Sequence, residues 1–128
     1  MSSTPAPGER DSAYDLFRRG SQLLADDHPA AAAVLLERAD RIEPGKASIV
    51  EALARAYYNN GDPEQAAERF RAIVEGNPID HYGHFGLGLS YKRLGQRAAA
   101  QRHLRMAVFL KPDSEDYRRA LQRLGSAT

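Results

Sequence analysis

Apolar residues recur along this 128-residue chain at the spacing of amphipathic helices, and the pattern is copied every 34 residues. Four aligned columns keep small or apolar residues in all three copies: Gly20, Ala54 and Gly88; Leu23, Tyr57 and Tyr91; Leu36, Phe70 and Leu104; and Ala39, Ile73 and Ala107. Small residues allow two helices to approach closely, and large apolar residues at helical spacing form a buried stripe. The pattern therefore predicts a helical hairpin in each copy.

Capping residues and prolines mark the ends of these helices. Ser12 followed by Asp15 predicts a capped first helix that runs to about Ala25. In the second copy Gly61 ends one helix and Asp62 caps the next. The prolines that open a second helix or close a copy are Pro29, Pro63, Pro44, Pro78 and Pro112.

A further amphipathic helix follows the third copy. Tyr117, Ala120, Leu121 and Leu124 stand at positions i, i+3, i+4 and i+7, with charged residues on the opposite face. Gly125 is predicted to end this helix. The chain is therefore predicted to hold seven helices.

The repeated pattern resembles the tetratricopeptide repeat family. The second copy matches best, with the family's small, aromatic and closing positions at Ala54, Tyr57, Ala66, Phe70 and Pro78. The first copy matches least, since Arg19 replaces the usual leucine and Leu23 the usual tyrosine. The resemblance implies an all-α, right-handed solenoid of antiparallel helix pairs that serves as a binding scaffold.

The resemblance also sets the predicted organisation of the chain. Three repeats are expected over residues 13–46, 47–80 and 81–114, followed by a cap helix at 115–124. Residues 1–12 and 125–128 are predicted to be tails, because the N-terminal residues are rich in serine and proline and have no apolar period.

Composition narrows the class of protein further. The net charge is +1, there is no cysteine, and we find neither a secretory signal pattern nor an apolar run of about 20 residues. A soluble, cytoplasmic protein is therefore expected, and the excess of arginine over lysine suggests a bacterial gene. The charge is unevenly distributed: residues 1–80 carry 9 basic and 14 acidic residues, a net of −5, and residues 81–128 carry 9 and 3, a net of +6.

In the resembled family the second face of each repeat's first helix lines a concave groove. In this chain the predicted groove includes the corresponding positions and the polar residues expected to orient a bound segment. These residues are Tyr14, Phe17, Ser21, Leu24, Glu51, Arg55, Tyr58, Asn59, Tyr82, Phe85, Gly86, Leu89, Lys92 and Arg93. Aromatic walls over a polar strip suit an extended peptide or an amphipathic helix of a partner protein. The alternative is that Phe17, Phe85 and Leu89 pack against a neighbouring helix, the N-terminal tail or a second copy of the chain.

One subclass of the family holds the terminal carboxylate of heat-shock chaperones with lysine, asparagine and arginine side chains. The matching positions here are Phe17, Ser21, Ala52, Tyr82 and Gly86. None of these residues supplies the required charge or amide. The resemblance therefore does not imply a co-chaperone role of that kind.

Three glycines lie within six residues of the predicted fifth helix. Each interior glycine costs a helix roughly 0.5 to 1 kcal/mol relative to alanine. Gly88 belongs to the small column, whereas Gly83 and Gly86 either admit a ligand or backbone or are tolerated by stacking on both sides. On the first alternative, Gly86→Leu is predicted to weaken partner binding and to leave the helical content intact.

Other chemistry has little support in the sequence. His81 and His84 are one helical turn apart but lack further metal ligands nearby, and His28 and His103 are predicted at the surface or at a helix start. No phosphate loop, nucleophile elbow or carboxylate pair is visible. We therefore predict no enzyme, no metal and no cofactor. Two alternative roles are self-assembly into a homo-oligomer and binding of nucleic acid or an acidic partner through the basic C-terminal third.

Overall fold

The 34-residue register folds into three antiparallel helix pairs and a final single helix. The computed structural model describes residues 12–126, and over that range there are seven helices and no strand. They are α1 (Ala13–Ala25), α2 (Pro29–Ile42), α3 (Ala47–Asn59), α4 (Pro63–Gly76), α5 (His81–Arg93), α6 (Arg97–Leu110) and α7 (Glu115–Ser126). The all-α prediction and the number of helices are confirmed. The predicted tails fall on residues 1–11 and 127–128, outside the described range, apart from residues 12, 125 and 126.

The helix ends form as the capping residues predict. The Ser12 hydroxyl accepts a hydrogen bond from the Asp15 amide at 3.0 Å, and the Asp62 carboxylate accepts one from the Gln65 amide at 3.4 Å. Gly61 has a φ of +77°, the left-handed conformation that glycine adopts without strain. Each cap satisfies backbone groups that the helix itself leaves open.

The predicted end of the last helix is wrong by two residues. Helix α7 continues through Gly125 to Ser126. Gly125 is not among the described glycines with positive φ, so it does not form a left-handed cap. A single glycine near a helix end is tolerated without breaking the helix.

The small column is where the two helices of a repeat meet most closely. A Cβ atom added at Gly20 would lie 2.7 Å from Cγ of Leu36, and one added at Gly88 would lie 2.8 Å from Cγ of Leu104. Leu36 and Leu104 are fully buried. The close approach predicted from the small residues is thus confirmed in the first and third repeats.

Successive repeats stack so that their first helices share one side of the molecule. Each helix packs on the next along the chain, and α1 also meets α3, α3 meets α5 and α5 meets α7. The backbones of α2, α4 and α6 do not approach one another in this way. The first helices therefore lie closer together and form the inner side of the stack.

Helix α7 covers the last repeat. Tyr117 and Leu124 are buried, Ala120 and Leu121 are half-buried, and the charged residues of the opposite face are exposed. The predicted cap helix is confirmed, and it closes the apolar core against α6.

Candidate functional site

A hollow of about 160 Å³ opens between α3 and α5 on the inner side. Its lining is aromatic and aliphatic with two polar residues at the rim: Arg55, Tyr58, Asn59, Phe70, Tyr82, Phe85, Gly86 and Leu89. Seven of these eight residues were among those predicted to line a groove. The eighth, Phe70, comes from α4 and was assigned to the core, where its side chain is indeed 2% exposed. No signal in the sequence shows that the edge of this ring also reaches the hollow.

The aromatic rings around the hollow hold one another in place. Phe70 meets Tyr82 edge-on, with ring centres 6.0 Å apart, and Tyr82 lies 6.4 Å from Phe85. Phe85 in turn stacks on Tyr117 of α7 at 4.5 Å. Phe85 thus packs against a neighbouring helix, as the alternative interpretation held, and the half-buried ring still lines the hollow.

The two arginines beside the hollow differ in their partners. Arg93 lies over the ring of Tyr58, its guanidinium carbon 3.9 Å from the ring centre, and donates to the Tyr58 carbonyl at 3.0 Å. Arg55 is exposed, and its guanidinium makes no hydrogen bond or ion pair within residues 12–126. Arg93 therefore fixes Tyr58, whereas the donors of Arg55 are available at the rim.

An acidic side chain lies one turn before Arg55. Glu51 is half-buried, and burial together with the nearby Asp80 carboxylate raises its pKa, while Arg55 acts in the opposite direction. Burial also raises the pKa of Tyr82, so its hydroxyl stays neutral at physiological pH. The hollow is thus cationic at Arg55, and Glu51 lies near Arg55 on α3 without lining the hollow.

The first-repeat residues lie at a different place. Tyr14 is 64% exposed and Phe17 is half-buried, and both line a second hollow of about 220 Å³ beside Lys46 and Ser48. Ser21 is half-buried and Lys92 is exposed, and neither lines the hollow between α3 and α5. Nine of the fourteen predicted residues therefore line two separate hollows, and the other five line neither: Ser21, Leu24, Glu51, Lys92 and Arg93.

The assignment of Leu24 to the groove is wrong. Its side chain is buried and packs with Leu36 and Leu53 in the core between α1, α2 and α3. At the C-terminal end of α1 this face of the helix is covered by the next repeat. Leu24 consequently stabilises the stack and is not available to a partner.

The interior glycines of α5 make room for side chains of the same molecule. The ring of Phe70 occupies the space that a Cβ at Gly86 would need, and Cγ2 of Ile73 would lie 2.9 Å from a Cβ at Gly83. The sequence offered a ligand or simple tolerance as reasons, and missed this one. A leucine at Gly86 would therefore displace the Phe70 ring, so Gly86→Leu would change the core packing as well as the hollow.

The histidines of the third repeat form hydrogen bonds inside the protein. His81 Nδ1 lies 2.7 Å from the Tyr117 hydroxyl, and His84 Nδ1 lies 3.0 Å from His103 Nδ1. His103 is half-buried, so its predicted surface position is wrong. Within the described residues no cluster of three or more histidine, cysteine, aspartate or glutamate side chains has the arrangement of a metal site.

Part of the basic C-terminal third is engaged with the protein itself. Arg97 donates to the Leu124 carbonyl, Arg118 donates to the Pro112 carbonyl at 2.5 Å, and Arg119 pairs with Glu115 at 2.6 Å. Arg97 and Arg118 thus join α7 to α6 and to the preceding turn, whereas the Arg119–Glu115 pair lies within α7. None of the helices in the described part of the chain has the length and apolar character needed to cross a bilayer.

Comparison with known proteins identifies the repeat. Residues 23–84 match the sequence model of a family described as tetratricopeptide repeat. No curated protein sequence matches the chain at a significant level.

Solved structures share the fold at low sequence identity. The first TPR of Spaghetti (RPAP3) bound to the HSP90 peptide SRMEEVD is 15% identical, with a TM-score of 0.84 over 91% of this chain and 93% of that one. The Sgt2 TPR domain from Aspergillus fumigatus is 21% identical, with a TM-score of 0.81 over 95% and 80% of the two chains. MamA from Desulfovibrio magneticus RS-1 is 19% identical, with a TM-score of 0.87 over 91% and 66%.

Proposed function

We propose that this chain is a tetratricopeptide repeat protein and a non-catalytic adaptor that binds a segment of a partner protein in the hollow between α3 and α5. The observation that carries the proposal is the hollow itself, in which packed aromatic rings lie beside an arginine whose donors are unused. Aromatic and arginine side chains dominate the binding energy of protein interfaces.

The size of the hollow favours a single large side chain of the partner. A cavity of roughly 150 Å³ is enough to hold a benzene ring. The hollow measures about 160 Å³, so it accepts one aromatic or branched aliphatic side chain. The remainder of the partner segment would lie along the inner surface, where Arg55 and Asn59 offer hydrogen-bond donors.

Rigidity of the site also supports binding. Phe70, Tyr82, Phe85 and Tyr117 form a continuous series of ring contacts across three helices. Side chains already fixed in the free protein lose little freedom when a partner binds, which leaves more of the contact energy as affinity.

The structural neighbours support a protein-binding role in general and not a particular ligand. One of them is bound to an HSP90 peptide, at an identity of 15%. At the positions that match the chaperone-binding subclass, this chain has Phe17, Ser21, Ala52, Tyr82 and Gly86. We therefore expect its partner to be recognised by an apolar side chain rather than by clamping of a terminal carboxylate.

Two matched pairs of variants test this function. Peptides are first selected from a random library on the immobilised wild-type protein. Their Kd is then measured for Arg55→Ala and its control Arg105→Ala, and for Phe85→Ala and its control Phe109→Ala. Arg105 and Phe109 are exposed on α6, away from the hollow. We expect Arg55→Ala and Phe85→Ala to raise Kd by roughly tenfold or more, because removal of a central interface residue costs over about 1.4 kcal/mol.

The controls separate binding from folding. Circular dichroism establishes that each variant keeps its helices, and the two α6 variants should bind like the wild type. Equal affinity for all five proteins, or loss only in the α6 variants, would show that the hollow is not the binding site.

A further inference from the structure

The protonation of His84 is defined by its contacts. Its side chain is 5% exposed, and its Nε2 lies 2.8 Å from the carbonyl oxygen of Pro78. A carbonyl only accepts hydrogen bonds, so Nε2 carries a proton. In the neutral ring the other nitrogen, Nδ1, then has a lone pair and can only accept.

The partner of that lone pair is a second histidine. Nδ1 of His103, on α6, lies 3.0 Å from Nδ1 of His84, and the two rings stack with centres 5.3 Å apart. Since His84 accepts, the Nδ1 of His103 must donate. The neutral pair thus has one arrangement of protons, with a hydrogen on Nε2 of His84 and on Nδ1 of His103.

This arrangement accommodates one added proton and not two. A proton on Nε2 of His103 leaves the bond between the rings in place, with the charged ring as donor. A second proton, on Nδ1 of His84, would place two N–H groups and two positive charges against each other. Full protonation therefore breaks the hydrogen bond between His84 on α5 and His103 on α6.

The groups around the pair oppose protonation further. Arg71 of α4 donates to the Tyr91 hydroxyl at 2.8 Å, and the Tyr91 ring lies 5.7 Å from that of His103. Arg102 of α6 adds a second positive charge nearby. Burial, followed by the His84, Arg102 and Arg71 charges, lowers the pKa of His103 below its ordinary 6.5.

The carboxylate nearest in sequence is used elsewhere. Asp80 accepts from the Gly83 amide at 2.8 Å and caps α5. No carboxylate is among the groups that act on His103. His103 therefore has two arginines nearby that repel an added positive charge, and no carboxylate that would balance it.

We propose that His84 and His103 form a proton-sensitive latch that holds α5 against α6 at neutral pH and loosens the third repeat under mildly acidic conditions. The same helix α5 carries Tyr82, Phe85 and Leu89, so loosening the latch reaches the hollow. The latch itself depends only on the histidine pair and not on what the hollow binds.

The first repeat supplies a matched control. The positions that correspond to His84 and His103 there are Leu16 and Leu35, which pack in one apolar cluster. The double variant His84→Leu/His103→Leu therefore places in the third repeat the same pair of leucines that packs at these positions in the first repeat. His28→Gln removes an exposed histidine and leaves the latch in place.

Thermal unfolding at pH 7.5 and at pH 5 tests the latch. A histidine whose folded pKa is lowered stabilises the protein above about pH 6.5, and that stability is lost as the pH falls toward the folded pKa. We expect the Tm of the wild type and of His28→Gln to fall by about 4 °C more than that of the double variant. His81 and every carboxylate are present in all three proteins, so their contribution cancels. An equal fall in all three would overturn the latch.

Nitrogen-15 NMR of the wild-type histidine rings gives an independent result if the double variant fails to fold. We expect at pH 7.5 the Nε2-protonated form for His84 and the Nδ1-protonated form for His103, and a midpoint for His103 below the ordinary 6.5. The same tautomer on both rings, or a His103 midpoint at or above 6.5, would contradict the proposal.

Discussion

Single residues in this protein are constrained mainly by what the neighbouring helix places against them. Gly86 faces the ring of Phe70, Gly83 faces Ile73, and Gly88 faces Leu104. These three glycines lie in one helix because side chains press on it from both α4 and α6. Their cost in helix propensity is thus a consequence of packing on two sides.

This packing predicts the effect of adding one methyl group. Gly86→Ala should lower the free energy of unfolding by roughly 1 to 3 kcal/mol, because the Phe70 ring must move out of its place. Gly76→Ala is the control, since no atom lies within 4 Å of the added Cβ. Urea unfolding measures both. Equal stability of the two variants would show that Phe70 does not need the space at Gly86.

The sequence predicted residue types well at this scale and individual contacts poorly. The small column and the caps follow from helical period and the repeat, and seven of the eight residues of the hollow follow from the resemblance to the repeat family. The role of Phe70 does not, because a ring that fills the core and reaches a hollow looks like any core residue in a pattern. The burial of Leu24 and the stacking of Arg93 on Tyr58 likewise depend on the packing between repeats.

At the scale of helices, the repeats are joined by a polar network as well as by apolar packing. Arg69 of α4 pairs with Glu37 at 3.3 Å and with Asp40 at 3.4 Å, both on α2. The Tyr57 hydroxyl of α3 donates to the same Glu37 carboxylate. Three helices of two repeats therefore share one network, which no single-repeat pattern reveals.

This network predicts a specific alkaline loss of stability. Burial and the Glu37 carboxylate raise the pKa of Tyr57 from 10 to about 12. Because the folded pKa is the higher one, the stabilisation is present below pH 10 and is lost as the pH rises toward 12. Denaturant unfolding is measured from about pH 9 to about pH 12. The free energy of unfolding should fall more steeply with pH for the wild type than for Tyr57→Phe. Parallel curves would mean that Tyr57 ionises as freely in the folded protein as in the unfolded chain.

At the scale of the whole molecule, the two ends of the stack carry arginine. On α3 and α5 the residues that face the preceding repeat include Leu53 and Leu87, which are buried. The corresponding residue of α1 is Arg19, with Arg18 beside it, and both are exposed. Within the described residues Arg19 is thus exposed where Leu53 and Leu87 are buried, which accounts for the departure of the first copy from the repeat pattern at this position.

Charged ends predict a monomer in solution. Residues 1–80 and 81–128 carry net charges of −5 and +6, but both end faces carry exposed arginines, so end-to-end stacking would bring positive charges together. These arginines are Arg18 and Arg19 on α1 and Arg118, Arg119 and Arg123 on α7. We expect sedimentation to show a monomer, and the variant Arg18→Ala/Arg19→Leu to self-associate more strongly. A stable wild-type oligomer at low and high salt would contradict this and favour self-assembly as the role of the protein.

The central claim is that a partner segment enters the hollow between α3 and α5. A titration of the nitrogen-15-labelled protein with a library-selected peptide, followed by amide NMR, tests it most directly. We expect the largest shifts at Arg55, Tyr58, Asn59, Phe85 and Leu89, with Met106 and Phe109 on α6 unchanged. Shifts centred on α6, or spread evenly over the chain, would contradict the claim.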